Sequence, residues 1–67
     1  MTFYLTFNCL HPLEKGWIEI EADTVQSARN KTVRHFGRHW STLYPPDKFD
    51  GEYKNFFPLG KLGETLR

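Results

Sequence analysis

The 67-residue chain carries nine basic and eight acidic side chains, a net charge of +1, and eleven aromatic residues. A chain this short buries only about 60% of its unfolded surface, so a single domain over residues 1–67 is expected, with large rings as its densest source of buried area. The balanced charge argues against nucleic-acid binding by bulk electrostatics. One cysteine excludes an internal disulfide framework and suits a reducing cytosol, and neither an apolar run of ~20 residues nor a charged-then-apolar leader is present.

Residues Thr2 to Asn8 alternate, with Phe3, Leu5 and Phe7 on one side and Thr2, Tyr4, Thr6 and Asn8 on the other. That period of two predicts a half-buried strand. Cys9 to Gly16, with His11-Pro12 and Lys15-Gly16, reads as a hairpin loop. Trp17 to Ala22 alternates again and sets Ile18, Ile20 and Ala22 against Trp17, Glu19 and Glu21. A helix over about residues 24 to 36 follows, capped by Asp23 or Thr24 and closed by Gly37. Its apolar stripe is Val25, Ala28, Thr32 and Phe36, with Val33 on the edge.

Trp40 to Tyr44 reads as a short third strand stopped by Pro45-Pro46. Asp50-Gly51 marks a turn, and Tyr53, Phe56 and Phe57 form an aromatic tail that folds back. The expected fold is α+β: a small antiparallel sheet, with a ββα core plus a short third strand, and one helix packed across it. Phe3, Leu5, Phe7, Ile18, Ile20, Val25, Ala28 and Phe36 are the expected core.

No phosphate loop, nucleophile elbow or H-E-x-x-H pair occurs, and the chain is too short to enclose a sizeable pocket; no enzymatic activity and no cofactor are expected. Cys9, His11, His35 and His39 are the one candidate metal set. Gly37 falls between the two later histidines and breaks their i, i+4 spacing. The favoured reading therefore makes these histidines polar helix-end residues and Cys9 a small hydrophobe, with zinc as the alternative.

Two constellations point to a partner. Arg29, Lys31, Arg34 and Arg38 place four positive charges in ten residues, with Lys31 and Arg34 on the helix's outer face and Arg29 flanking its apolar stripe. Such a face contacts an acidic protein surface, contacts phosphates, or stands solvated beside the negative end of the helix dipole. Opposite it, residues 14–23 hold Glu14, Glu19, Glu21 and Asp23 against Lys15 alone, so the chain is dipolar. The outer sheet face carries Tyr4, Trp17, Glu19 and Glu21. Either the tail's Tyr53, Phe56 and Phe57 cover this face, or Tyr4 and Trp17 are interface anchors.

Several segments together carry a resemblance: Phe3-Tyr4-Leu5-Thr6-Phe7, Gly16 to Ala22, Phe36-Gly37 before Trp40-Ser41, Leu43-Tyr44, and Phe57 to Glu64. With these the chain resembles small proteins encoded by bacteriophages and prophages, and its strand–strand–helix layout looks like that of several anti-CRISPR proteins. The resemblance implies a viral protein in the host cytoplasm that binds a host protein or ribonucleoprotein defence complex and inhibits it by occlusion. A small accessory protein that grips nucleic acid with its basic helix is the alternative. No membrane association is expected.

Overall fold

The computed structural model describes residues 1–8, 10–49 and 51–67. At its centre β1 (Thr2–Leu5) and β2 (Gly16–Glu21) pair antiparallel with Phe3 opposite Ile20 and Leu5 opposite Ile18. Because side chains alternate along each strand, this register puts Phe3, Leu5, Ile18 and Ile20 on one face and Tyr4, Trp17 and Glu19 on the other. Phe7 extends the first face beyond the strand's end and is buried with it.

The helix α1 (Val25–Phe36) covers that face. Thr24 caps it, its hydroxyl accepting from the Ser27 N–H at 3.1 Å, which satisfies one of the donors left open in the first turn. Gly37 ends it at φ 62°, ψ −118°, a conformation that side chains other than glycine rarely adopt. Ala28 and Thr32 are fully buried against the sheet. The Thr32 hydroxyl donates to the Ala28 carbonyl at 2.9 Å, so its burial leaves no unpaired polar group. Phe36 meets Phe7 edge to face at 5.3 Å.

Val25 departs from the expected core: it is 57% exposed. It shares the inward angle of Thr32 on the helical wheel, but it lies in the first turn, beside Trp40, Thr42 and Leu43 at the rim of the sheet. The expected third strand is present as β3 (Leu43–Tyr44); it is two residues long and pairs antiparallel with β1.

The sheet is not wholly antiparallel. A fourth strand, β4 (Gly60–Lys61), runs parallel to β2, and the order across the sheet is β3-β1-β2-β4. The chain after β4 continues along β2: Leu62 N–H donates to Trp17 O, Leu66 N–H to Glu19 O, and Glu21 N–H to Leu66 O. No local pattern signals so short a strand, because its pairing partner lies some 44 residues earlier. Gly16 is required at this seam. A Cβ there would stand 2.5 Å from Leu62 Cγ and 2.8 Å from the Gly60 carbonyl oxygen.

The second face is covered by the tail, through a residue the sequence reading passed over. After the 3-10 turn Pro46–Lys48, Phe49 is buried to 2% exposure. Its ring stacks on Tyr4 at 4.8 Å and meets Trp17 at 5.4 Å, Tyr44 at 5.2 Å and Phe57 at 5.7 Å. The short helix α2 (Gly51–Lys54) follows. Of the three tail rings expected to cover this face, Phe57 packs on Trp17 and Tyr53 on Tyr44, while Phe56 faces solvent at 72% exposure. The expected turn at Asp50-Gly51 lies partly outside the described residues.

Removing a ring from either face tests this two-sided core. Phe3→Ala and Phe49→Ala are each expected to cost about 3–5 kcal/mol, a large share of the stability of so small a domain. Val25→Ser, at an exposed position, should change it by less than about 0.5 kcal/mol in the same denaturant titration. Gly16→Ala forces the added methyl against a backbone carbonyl and is expected to lower the melting temperature, whereas Gly51→Ala, with open space around its Cα, is not.

Candidate functional site

The residues expected to meet a partner divide into three groups. Tyr4 and Trp17 are covered: Phe49 lies on both rings, and the Lys54 ammonium sits over them at 5.0 and 5.8 Å from the ring centres. Trp17 is buried and its Nε1–H donates to Glu19 Oε2 at 3.2 Å. Of the two readings of this face, the structure has the tail covering it. These aromatics hold the tail, with Trp17 buried and Tyr4 half-buried beneath it.

Glu19 and Glu21 are likewise engaged within the chain. The Glu21 carboxylate accepts from the N-terminal ammonium at 2.8 Å and from the Thr2 hydroxyl at 2.9 Å, while its carbonyl accepts from Lys31 Nζ at 2.7 Å. This corrects the placement of Lys31. It does not share an outward face with Arg34; it is half-buried and ties α1 to the end of β2.

Arg29, Arg34 and Arg38 are exposed. None forms an ion pair with a carboxylate among the described residues. Arg34 lies on the outward side of α1. Arg29 lies on the flank facing Trp40, with its guanidinium 5.8 Å from the indole centre. Val25 and Val33 lie one turn either side of Arg29, at 57% and 50% exposure. Trp40 is half-buried against the core, and its Nε1–H donates to the Gly37 carbonyl at 2.9 Å, which fixes the ring.

Between α1 and residues 40–43 runs an open cleft made of two adjoining hollows. One of about 520 Å³ is lined by Arg29, Val33, Gly37, Arg38, Trp40 and Ser41. The other, of about 390 Å³, shares Arg29 and Trp40 and extends past Val25 to Leu43. No acidic side chain lines either one. Sequence reasoning placed Arg29 beside the apolar stripe but missed Val25, Val33 and Trp40 as surface. The available signal was their i, i+4, i+8 row on one flank with a tryptophan just past the cap.

The candidate metal residues His11, His35 and His39 lie in different local settings. His11 stacks on Phe7 at 4.6 Å and its Nδ1 accepts from the Leu13 N–H at 3.0 Å. His35 sits beside Phe36, and Gly37 ends the helix before His39. Cys9 lies outside the described residues. Among the described residues no three of His, Cys, Asp and Glu are grouped as a metal site would require, and no helix is long and apolar enough to cross a membrane. Compared with family models, curated proteins and solved structures, the chain matches none significantly.

The Glu21 carboxyl is held below the ordinary carboxylate range, first by the hydrogen bond from the N-terminal ammonium and next by that from Thr2, with partial desolvation opposing. A carboxyl whose folded pKa is depressed contributes stability that is present above the unfolded value and is lost as pH falls through the folded one. Acidification from about pH 5 towards pH 3 is therefore expected to lower the melting temperature of the wild type more than that of Glu21→Gln, read by parallel thermal melts.

Proposed function

We propose that this chain is a non-catalytic binding protein that occludes a host protein or ribonucleoprotein defence complex, a CRISPR surveillance complex being the specific candidate. One observation carries the binding role: among the described residues Arg29, Arg34 and Arg38 have no ion-pair partner, and Arg29 and Arg38 stand beside exposed Val25 and Val33 and the half-buried Trp40, with Arg34 on the adjoining outward side. Desolvated aromatic and arginine side chains are the commonest anchors of protein interfaces. Burying this surface against an acidic partner removes apolar area from water and pairs charges at once. The defence setting rests on the resemblance to phage and prophage proteins. In that setting the protein acts in the host cytoplasm by filling a surface the complex needs, with no turnover.

Nucleic-acid binding is the second reading, favoured by the Arg29 guanidinium beside the half-buried Trp40, a ring type on which bases stack. Salt separates the two. Three phosphate contacts would weaken affinity about 40-fold between about 50 and 200 mM salt.

The test is reversal of the three arginines, Arg29→Glu, Arg34→Glu and Arg38→Glu together. Each position is exposed and has no ion-pair partner among the described residues, so stability should fall by only about 0.5 kcal/mol per site or less. Capture of the defence complex by the tagged protein should be lost, because like-charge repulsion replaces attraction. Undiminished capture by the folded triple variant would remove the basic surface from the account. Lys31 is left unaltered, because its bond to the Glu21 carbonyl makes it part of the fold.

A further inference from the structure

We propose that the cleft between α1 and residues 40–43 receives an acidic amphipathic helix from the protein partner; this rests on the binding role argued above and names the segment it recognises. Val25, Arg29 and Val33 are spaced four apart, so they form a slowly winding row about 12 Å long on one flank of α1. Trp40 stands opposite, its indole held in place by the bond to the Gly37 carbonyl. The row supplies apolar contact at both ends and a guanidinium in the middle. The two hollows meet at Arg29 and Trp40, so the open cleft runs along the whole row, from Val25 in one hollow to Val33 in the other.

Charge sets the sign of the occupant. Arg29 and Arg38 line the groove, no carboxylate does, and neither arginine has an ion-pair partner among the described residues. Two exposed valines and a tryptophan gain nothing from a sugar–phosphate backbone but bury well against Leu, Ile or Phe. An acidic chain with an apolar stripe satisfies both features.

The backbone beside the groove decides between strand and helix. A partner strand would have to add to the free edge of β3. There Tyr44 pairs towards β1, the alternate residue Leu43 turns its N–H and C=O outward, and the next outward position is Pro45, which has no N–H. One residue's worth of ladder cannot hold a strand. A helix needs no ladder: it presents side chains at i, i+3, i+4 and i+7 to the Val25–Val33 row and carboxylates to Arg29 and Arg38.

The experiment uses the full chain and a fluorescein-labelled Leu–Glu peptide of about four helical turns with leucines at i, i+3, i+4 and i+7, read by anisotropy. The comparison probes are a peptide of the same composition with leucine at every second residue, a Leu–Lys peptide of the same pattern, and a single-stranded DNA of similar charge. The helical Leu–Glu peptide is expected to bind at least about tenfold more tightly than any comparison probe, a difference of about 1.4 kcal/mol. Arg29→Glu and Val33→Gln should each weaken it about tenfold, and Lys61→Glu, on the strand at the far edge of the sheet, less than about threefold; all three positions are exposed, and circular dichroism checks that each variant is folded. Equal binding of the alternating peptide, stronger binding of DNA, or no effect of Val33→Gln would overturn the proposal. Should the triple arginine reversal abolish capture of the defence complex while Val33→Gln leaves both capture and peptide binding unchanged, the groove is wrong and the binding role stands. Should the triple reversal leave capture intact, the binding role itself fails.

Discussion

The structure depends on the register of one hairpin. With Phe3 opposite Ile20 and Leu5 opposite Ile18, the remaining aromatics of the two strands, Tyr4 and Trp17, are thrown together onto the reverse face. Both faces of a two-stranded ribbon are then apolar, and an isolated ribbon of that kind is at best marginal in water. Each face has to be covered by chain from elsewhere. The helix α1 covers one and the segment around Phe49 covers the other, and β3 and β4 extend the ribbon at its two edges. A chain of 67 residues thus builds two small aromatic and aliphatic layers instead of one large core, which suits its high content of rings.

The same arrangement frees the outer flank of α1 from structural duty. Ala28 and Thr32 bring the helix close to the sheet, and Lys31 fastens its other flank to the end of β2. What remains towards β3 is Val25, Arg29 and Val33 with Trp40 beyond them, a surface whose apolar atoms are only partly covered and whose arginine has no ion-pair partner among the described residues. The fold and the proposed binding surface share Trp40 and otherwise draw on different residues. Glu21 belongs wholly to the first set: its side chain, N–H and carbonyl are each bonded within the chain. Lys54 belongs there too, because its ammonium rests on Tyr4 and Trp17 and so spans the tail and the sheet.

Local pattern by itself determined the hairpin, the helix and its end at Gly37, and narrowed the helix cap to Asp23 or Thr24. Alternation named Phe3, Leu5, Phe7, Ile18 and Ile20 as one buried face, and Thr24 and Gly37 bound the helix because capping chemistry acts over three or four residues. The tertiary structure decided the rest, each point through contacts distant in the chain. The wheel cannot say how far the sheet extends beneath the first turn of α1, and so Val25 is surface. It cannot say where a lysine finds a free carbonyl, and so Lys31 turns inward. Phe49, in a segment of prolines and turn residues with no period, became the centre of the second layer only because Tyr4 and Trp17 needed a cover. A two-residue parallel strand at Gly60–Lys61 has no propensity to announce it and exists through the backbone groups β2 leaves open. The groove beside Arg29 and Trp40 is in part of the same kind: the row Val25, Arg29 and Val33 has helical spacing in the sequence, but the cleft itself lies between elements whose separation is set by packing.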